Sequence, residues 1–242
     1  YESKEIYYST ENDAGNEEYA NKERTVKITF KGTDAHSGYK NNTLAAENIK
    51  VYVNDAEITT GLTKSLGEAT SVEGGMQYTL TLKGITGDGT LNVELPANSL
   101  KDNATNTNVS TNITTSVNIK ADNTSPGLTL AVTSPTTAGA YYKAGQVITI
   151  TATYNEDVYK EITSNTLITT PGDAPTMTLT FGGAESKDTV TCTSVSGREF
   201  TYTYTIKGPT TVTGIDGDNG TLVISGLEAV YDRAGNAISA SN

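Results

Sequence analysis

The chain has 242 residues, enough for one large domain or two of ordinary size. With 28 Asp+Glu against 17 Lys+Arg its formal net charge is −11, which repels phosphate backbones and argues against a nucleic-acid partner. One His and one Cys exclude most imidazole and thiolate metal sites and any disulfide within the chain, and no run of about 18 apolar residues offers a membrane-spanning helix.

Threonine supplies 43 of the 242 residues, a heavy bias toward a β-branched strand former. Alternating runs follow one another along the chain: Thr25–Phe30 (TVKITF), Ile49–Val53 (IKVYV), Met76–Leu82 (MQYTLTL), Val147–Thr153 (VITITAT), Met177–Phe181 (MTLTF), Phe200–Ile206 (FTYTYTI) and Thr221–Ser225 (TLVIS). Period two predicts strands with one buried face, and no helical stripe is present. The predicted inner faces carry Val26, Ile28 and Phe30; Ile49, Val51 and Val53; Ile148 and Ile150; Met177, Leu179 and Phe181; Leu222 and Ile224. Val190 and Cys192 are expected on one side of a single strand over 189–195, with Cys192 a small core residue. Between the runs lie Gly/Asn/Asp turns: GITGDG at 84–89, GIDGDNG at 214–220 and DRAGN at 232–236.

These segments repeat. AENIKVYVNDAE (46–57) matches APTMTLTFGGAE (174–185), MQYTLTLKG (76–84) matches FTYTYTIKG (200–208), and GTL…DNATN (89–106) matches GTL…DRAGN (220–236). The offsets run from 122 at Val26/Ile148 to 131, so the strands keep their order while the loops change length. Two copies of about 120 residues are predicted, 1–120 and 121–242, joined at KADNTSP (120–126), whose Pro126 cannot donate to a ladder. After Asn106 the first copy continues for 14 residues to Lys120; after Asn236 the second has six, so its last strand is expected to be truncated, with an edge open to a neighbouring chain. With no Met start, signal peptide or anchor motif, the sequence is read as a piece of a longer polypeptide.

At three places the chain resembles the bacterial immunoglobulin-like (Big) domains: DNTSP before GLTLAV (122–132), ITITATYNEDV (148–158), and VYDRAGN (230–236) with a weaker copy in DNATN (102–106). The first copy departs from the pattern in having KGTDAHSG (31–38) where the acidic turn would stand. The resemblance implies an all-β chain of two tandem immunoglobulin-like β-sandwiches arranged end to end. It places them in a secreted or cell-surface bacterial protein such as an adhesin, beside neighbouring domains of the same polypeptide. The function it implies is a spacer that projects another domain. The alternative is an adhesive or carbohydrate-binding module for a host or cell-surface ligand.

Catalysis is not expected. His36 has no second imidazole, no G-x-S-x-G elbow exists, and Glu17–Glu18 and Glu156–Asp157 are adjacent carboxylates of the solvated kind. The alternating Tyr202 and Tyr204 lie on the face predicted to be buried, which does not suit a sugar platform. Six N-x-S/T sequons, at Asn41, Asn103, Asn108, Asn112, Asn123 and Asn219, are what chance supplies in a chain so rich in Thr and Asn. Calcium is the one metal that fits, since it takes carboxylate, amide and carbonyl oxygens. In an immunoglobulin topology Asp88, Asp122, Asn123, Asp157 and Asp232 are brought toward the junction between the domains. The same side chains also suit Asx turns and hairpin caps, and both readings stand at this point.

Overall fold

The computed structural model describes residues 2–11, 19–33, 44–72, 75–99, 101–107, 111–114, 119–134, 142–161, 166–181, 187–208, 222–227 and 229–238, and among them there is no α-helix. His36, Glu17–Glu18, the 214–220 turn and the sequons at Asn41, Asn108 and Asn219 lie outside the described residues. The chain divides into two compact units, Tyr1–Thr124 and Ser125–Asn242.

The first unit runs through β1 (Glu2–Glu11), β2 (Tyr19–Ala20), β3 (Thr25–Thr33), β4 (Lys50–Val53), β5 (Ala56–Glu57), β6 (Thr63–Leu66), β7 (Thr70–Val72), β8 (Gly75–Lys83), β9 (Gly89–Leu95), β10 (Thr111–Thr114) and β11 (Lys120–Ala121). One sheet has the order β1-β3-β8-β6, with β7 also on β8; the other has the order β2-β11-β9-β4-β5, with β10 also on β9. Alternation decides which side chains go inside. Val26, Ile28, Leu80 and Leu82 from the first sheet and Val51, Val53, Leu91 and Val93 from the second share one buried cluster. Each aliphatic side chain so removed from water contributes about 1.5–3 kcal/mol. The β4–β5 hairpin turns through Asn54 and Asp55 at φ 47° and 64°, the left-handed pair of a type I′ turn. Asn54 then reaches across to β9, donating to the Asp88 carbonyl at 2.8 Å and accepting from the Thr90 amide at 3.0 Å. A Cβ at Gly89 would fall 2.1 Å from that amide group, so only glycine fits there.

The second unit runs through β12 (Leu128–Ser134), β13 (Val147–Tyr154), β14 (Met177–Phe181), β15 (Lys187–Val190), β16 (Cys192–Ser196), β17 (Glu199–Thr205) and β18 (Leu222–Ser225). Its sheets are β12-β13-β17-β16 and β15-β14-β18. Ile148, Ile150, Leu179, Phe200 and Tyr202 are fully buried in one cluster, with Tyr154 edge-on to Phe200 at 4.9 Å between ring centroids. Val190 and Cys192 are both buried, but not on one strand as alternation suggested. The chain leaves the three-stranded sheet after Val190 and enters the four-stranded one at Cys192, so each faces the core from a different side.

Register makes the repeat physical. Val51 pairs with Val93 and Val53 with Leu91 in the first unit; Leu179 pairs with Ile224 and Phe181 with Leu222 in the second. These are the positions that the sequence repeat equates. The other sheet needs a correction: Ile28 pairs with Leu80 and Ile148 with Tyr204, which equates Ile28, not Val26, with Ile148. The offset is therefore 120 where the sequence suggested 122. A slip of two leaves the inward face unchanged, so hydrophobic pattern alone does not detect it.

Both units also close the same turn. Asp102 and Asp232 are buried, and each carboxylate holds the Asn four residues on by its backbone amide (2.7 and 2.8 Å) and its side-chain amide (2.7 Å in both). The residue before that Asn has positive φ: Thr105 at 71° and Gly235 at 90°. A β-branched residue is strained there. Thr105→Gly should therefore raise the stability of the first unit by about 1 kcal/mol in a denaturant titration, and Gly235→Thr should lower that of the second by a similar amount.

Candidate functional site

The oxygen-bearing residues near the end of the first unit form a bonded network. Asp88 sits in the turn before β9. Its Oδ1 accepts from the Asn123 amide at 2.6 Å and its Oδ2 from the Thr124 hydroxyl at 2.7 Å. The Asn123 side chain donates to the carbonyls of Ile85 (3.2 Å) and Gly87 (2.8 Å) and accepts from the Lys22 amide at 2.8 Å. Asp122 donates its amide to the Ala20 carbonyl at 3.0 Å, and its Oδ1 accepts from the Thr124 amide at 3.1 Å. The segment Asp122–Thr124 is thus pinned to two other stretches of its own unit, and Asp88 and Asn123 do most of the pinning. Glycosylation of the Asn123 sequon would sacrifice these bonds.

In the second unit Asp157 is held by Arg198, whose Nε lies 2.9 Å from Oδ1 while another guanidinium nitrogen donates to the Asn155 carbonyl at 2.8 Å. Asn155 in turn accepts from the Gly127 amide at 2.8 Å. The neighbour of Asp157, Glu156, is half-buried and presents a carboxylate oxygen within 4.8 Å of one on Asp232. The sequence singled out Asp157 of this pair; the structure brings Glu156 toward Asp232 instead. Nothing in the local sequence distinguishes them, because the choice is made by Arg198 in the β16–β17 turn. Each Asp232 oxygen accepts from one of two Asn236 donors, the backbone amide and the side-chain amide. Two carboxylates so close repel one another, and a hard cation between them would relieve that repulsion.

Other reactive groups are engaged in the fold. Cys192 is a free, buried cysteine; burial pushes its thiol up, away from the thiolate form. Burial likewise raises the Tyr202 hydroxyl, which donates to the Pro175 carbonyl at 2.9 Å, so Phe200, Tyr202 and Tyr204 form core and not a sugar platform. Asp188 accepts from the Lys207 ammonium and from the Tyr204 hydroxyl at 2.6 Å, which together hold its carboxyl below the ordinary 3.8. The folded state favours the carboxylate, so this stabilisation is complete above the unfolded value and is lost as pH falls through the lower folded value. Melting of the second unit should therefore move to lower temperature below about pH 4, and Asp188→Asn should flatten that slope. A shallow depression of about 260 Å³ lies beside the β4–β5 hairpin, lined by Val53, Glu57, Ile58 and Asp88 among others. Its two carboxylates are already engaged, Asp88 as above and Glu57 with Lys50 at 3.9 Å.

No protein-family model matches the chain, and neither a curated protein nor a solved structure is similar enough to match it.

Proposed function

We propose that the chain is a non-catalytic structural module, two tandem immunoglobulin-like β-sandwiches serving as a spacer in a secreted or surface-displayed bacterial protein. The observation that carries this reading is the use made of the polar residues. In both units the same buried aspartate locks the same turn, and in the first unit Asp88 and Asn123 secure the segment that leaves it. Side chains spent on holding backbone in place suit a part whose task is to keep its shape. Every aromatic ring whose burial is described is buried or half-buried, which gives a sugar no flat exposed platform among those residues. Arraying the full chain against glycans and matrix proteins tests the reading. No saturable binding is expected, and a specific, saturable signal would replace the spacer by an adhesive or carbohydrate-binding module.

Calcium belongs to the same proposal. Of the oxygens first assigned to it, on Asp88, Asp122, Asn123, Asp157 and Asp232, those of Asp232 are the best placed within the second unit, with Glu156 as the added neighbour. Excess calcium should raise the melting temperature by several degrees, as any ligand of the folded state does, and Glu156→Gln should remove the effect. An unchanged melting curve would leave these carboxylates as turn formers alone.

A further inference from the structure

Strand register fixes where tension enters and leaves the first unit. Glu2, at the start of β1, lies opposite Thr33 at the end of β3. Asn123, beside the exit at Thr124, accepts from the Lys22 amide at 2.8 Å, and Lys22 stands just before β3 begins at Thr25. Entry and exit are therefore at opposite ends of β3, whose nine residues span about 26 Å at about 3.3 Å per step. A pull on the two ends runs along the strands. It draws β1 lengthwise past β3, with which it pairs from Glu2 to Glu11, and it draws β11 lengthwise past β2 and β9. Among the described strands β2 and β11 form the one parallel pair, so both lead the chain toward the same end of the unit.

From this geometry we infer that the first unit is a shear clamp, which takes tension on the whole β2–β11–β9 seam at once, with Asn123 as its catch. Hydrogen bonds between strands lie across them, so lengthwise sliding loads all of them together, whereas peeling from one end breaks them one at a time. The ladder of β11 is itself short: Lys120 and Ala121 pair with Tyr19 and Ala20 on one side and with Thr90 and Gly89 on the other. The residues that follow extend it. The Asp122 amide donates to the Ala20 carbonyl at 3.0 Å. Asn123 then holds Lys22, Ile85 and Gly87 by its side chain and Asp88 by its backbone amide, and the Thr124 hydroxyl donates to the other Asp88 oxygen at 2.7 Å. An asparagine suits this place because its amide both donates and accepts, so one side chain bonds the flank before β3 and the turn before β9 together. β11 cannot slide until these bonds break. The clamp depends only on register and hydrogen bonds, so a specific binding signal on the array would remove the spacer reading and leave the clamp standing.

The test is stretching of the full chain at one fixed force in a Phe200→Ala background, where the weakened second unit yields first and the later event belongs to the first unit. Asn123→Ala should unfold the first unit at least about tenfold faster at that force, since three side-chain bonds under load are lost together. Thr124→Val removes only the hydroxyl bond to Asp88; it should accelerate the event about fivefold, and it decides the matter if Asn123→Ala does not fold. Asp102→Ala is the control. It weakens the unit in denaturant through a turn outside the seam, and its rate at the same force should change by less than about twofold. Two results would overturn the clamp. Unchanged rates in the exit variants mean that the segment 122–124 carries no load. An acceleration by Asp102→Ala as large as that by the exit variants means that rupture follows the overall stability of the unit and not the seam.

Discussion

Asp232→Ala should lower the melting temperature of the second unit by about 10–15 °C. The substitution removes two charge-assisted hydrogen bonds, at 2.8 and 2.7 Å, from a carboxylate that is only 2% exposed. Bonds of that type contribute about 1.5–3 kcal/mol each, less what water restores to the half-buried Asn236, for a net loss of about 3 kcal/mol. In a domain of this size about 1 kcal/mol corresponds to about 4 °C. Asp102→Ala should do the same to the first unit, since its bonds are of the same kind and length. The comparison is best made by calorimetry in the presence of a chelator. A loss of stability that persists there assigns the aspartate to the turn itself; a loss seen only with calcium present would assign it to the cation.

Phe200→Ala should have the largest effect of any single change considered, about 3–5 kcal/mol and confined to the second unit's transition. Phe200 is fully buried, pairs with Ala152 across β13 and β17, and meets Tyr154 edge-on at 4.9 Å. The cavity left between two sheets cannot collapse without breaking ladder bonds, which places the cost toward the upper end of that range. Val223→Ala, at a position 55% exposed, is the control and should stay within about 0.5 kcal/mol. Equal effects at the two positions would mean that the core is not where the alternation puts it.

The strands that line the cores were legible because alternation with Val, Ile, Leu and Tyr has one physical meaning in water. Val26, Ile28, Val51 and Leu179 all lie inside as their spacing requires. What escaped were features that alternation does not encode. Glu2–Glu11 pairs along β3 although ESKEIYYSTE has no clean period, and Thr63–Leu66 and Thr70–Val72 are largely polar strands held by β8. The change of sheet at Thr191 has no composition signal, since Val190 and Cys192 look like neighbours on one face. The turn carboxylates Asp102 and Asp232 were visible as a repeated D-x-x-x-N, but their burial and their bonds to the Asn were not. The role of Asn123 depends on the carbonyls of Ile85 and Gly87, 38 and 36 residues away, and that of Asp88 on the Asn123 amide and the Thr124 hydroxyl, 35 and 36 residues away, contacts fixed by the fold and not by any local motif.

On the proposed reading the chain is two spacer modules, each closed by its own core and its own aspartate lock. Stretching single molecules of the full chain from its two ends tests this most directly. The account predicts two separate unfolding events with nearly equal gains in contour length, each about 400 Å for about 120 residues at about 3.6 Å per residue. One event releasing the whole chain, or smooth extension with no event at all, would contradict it.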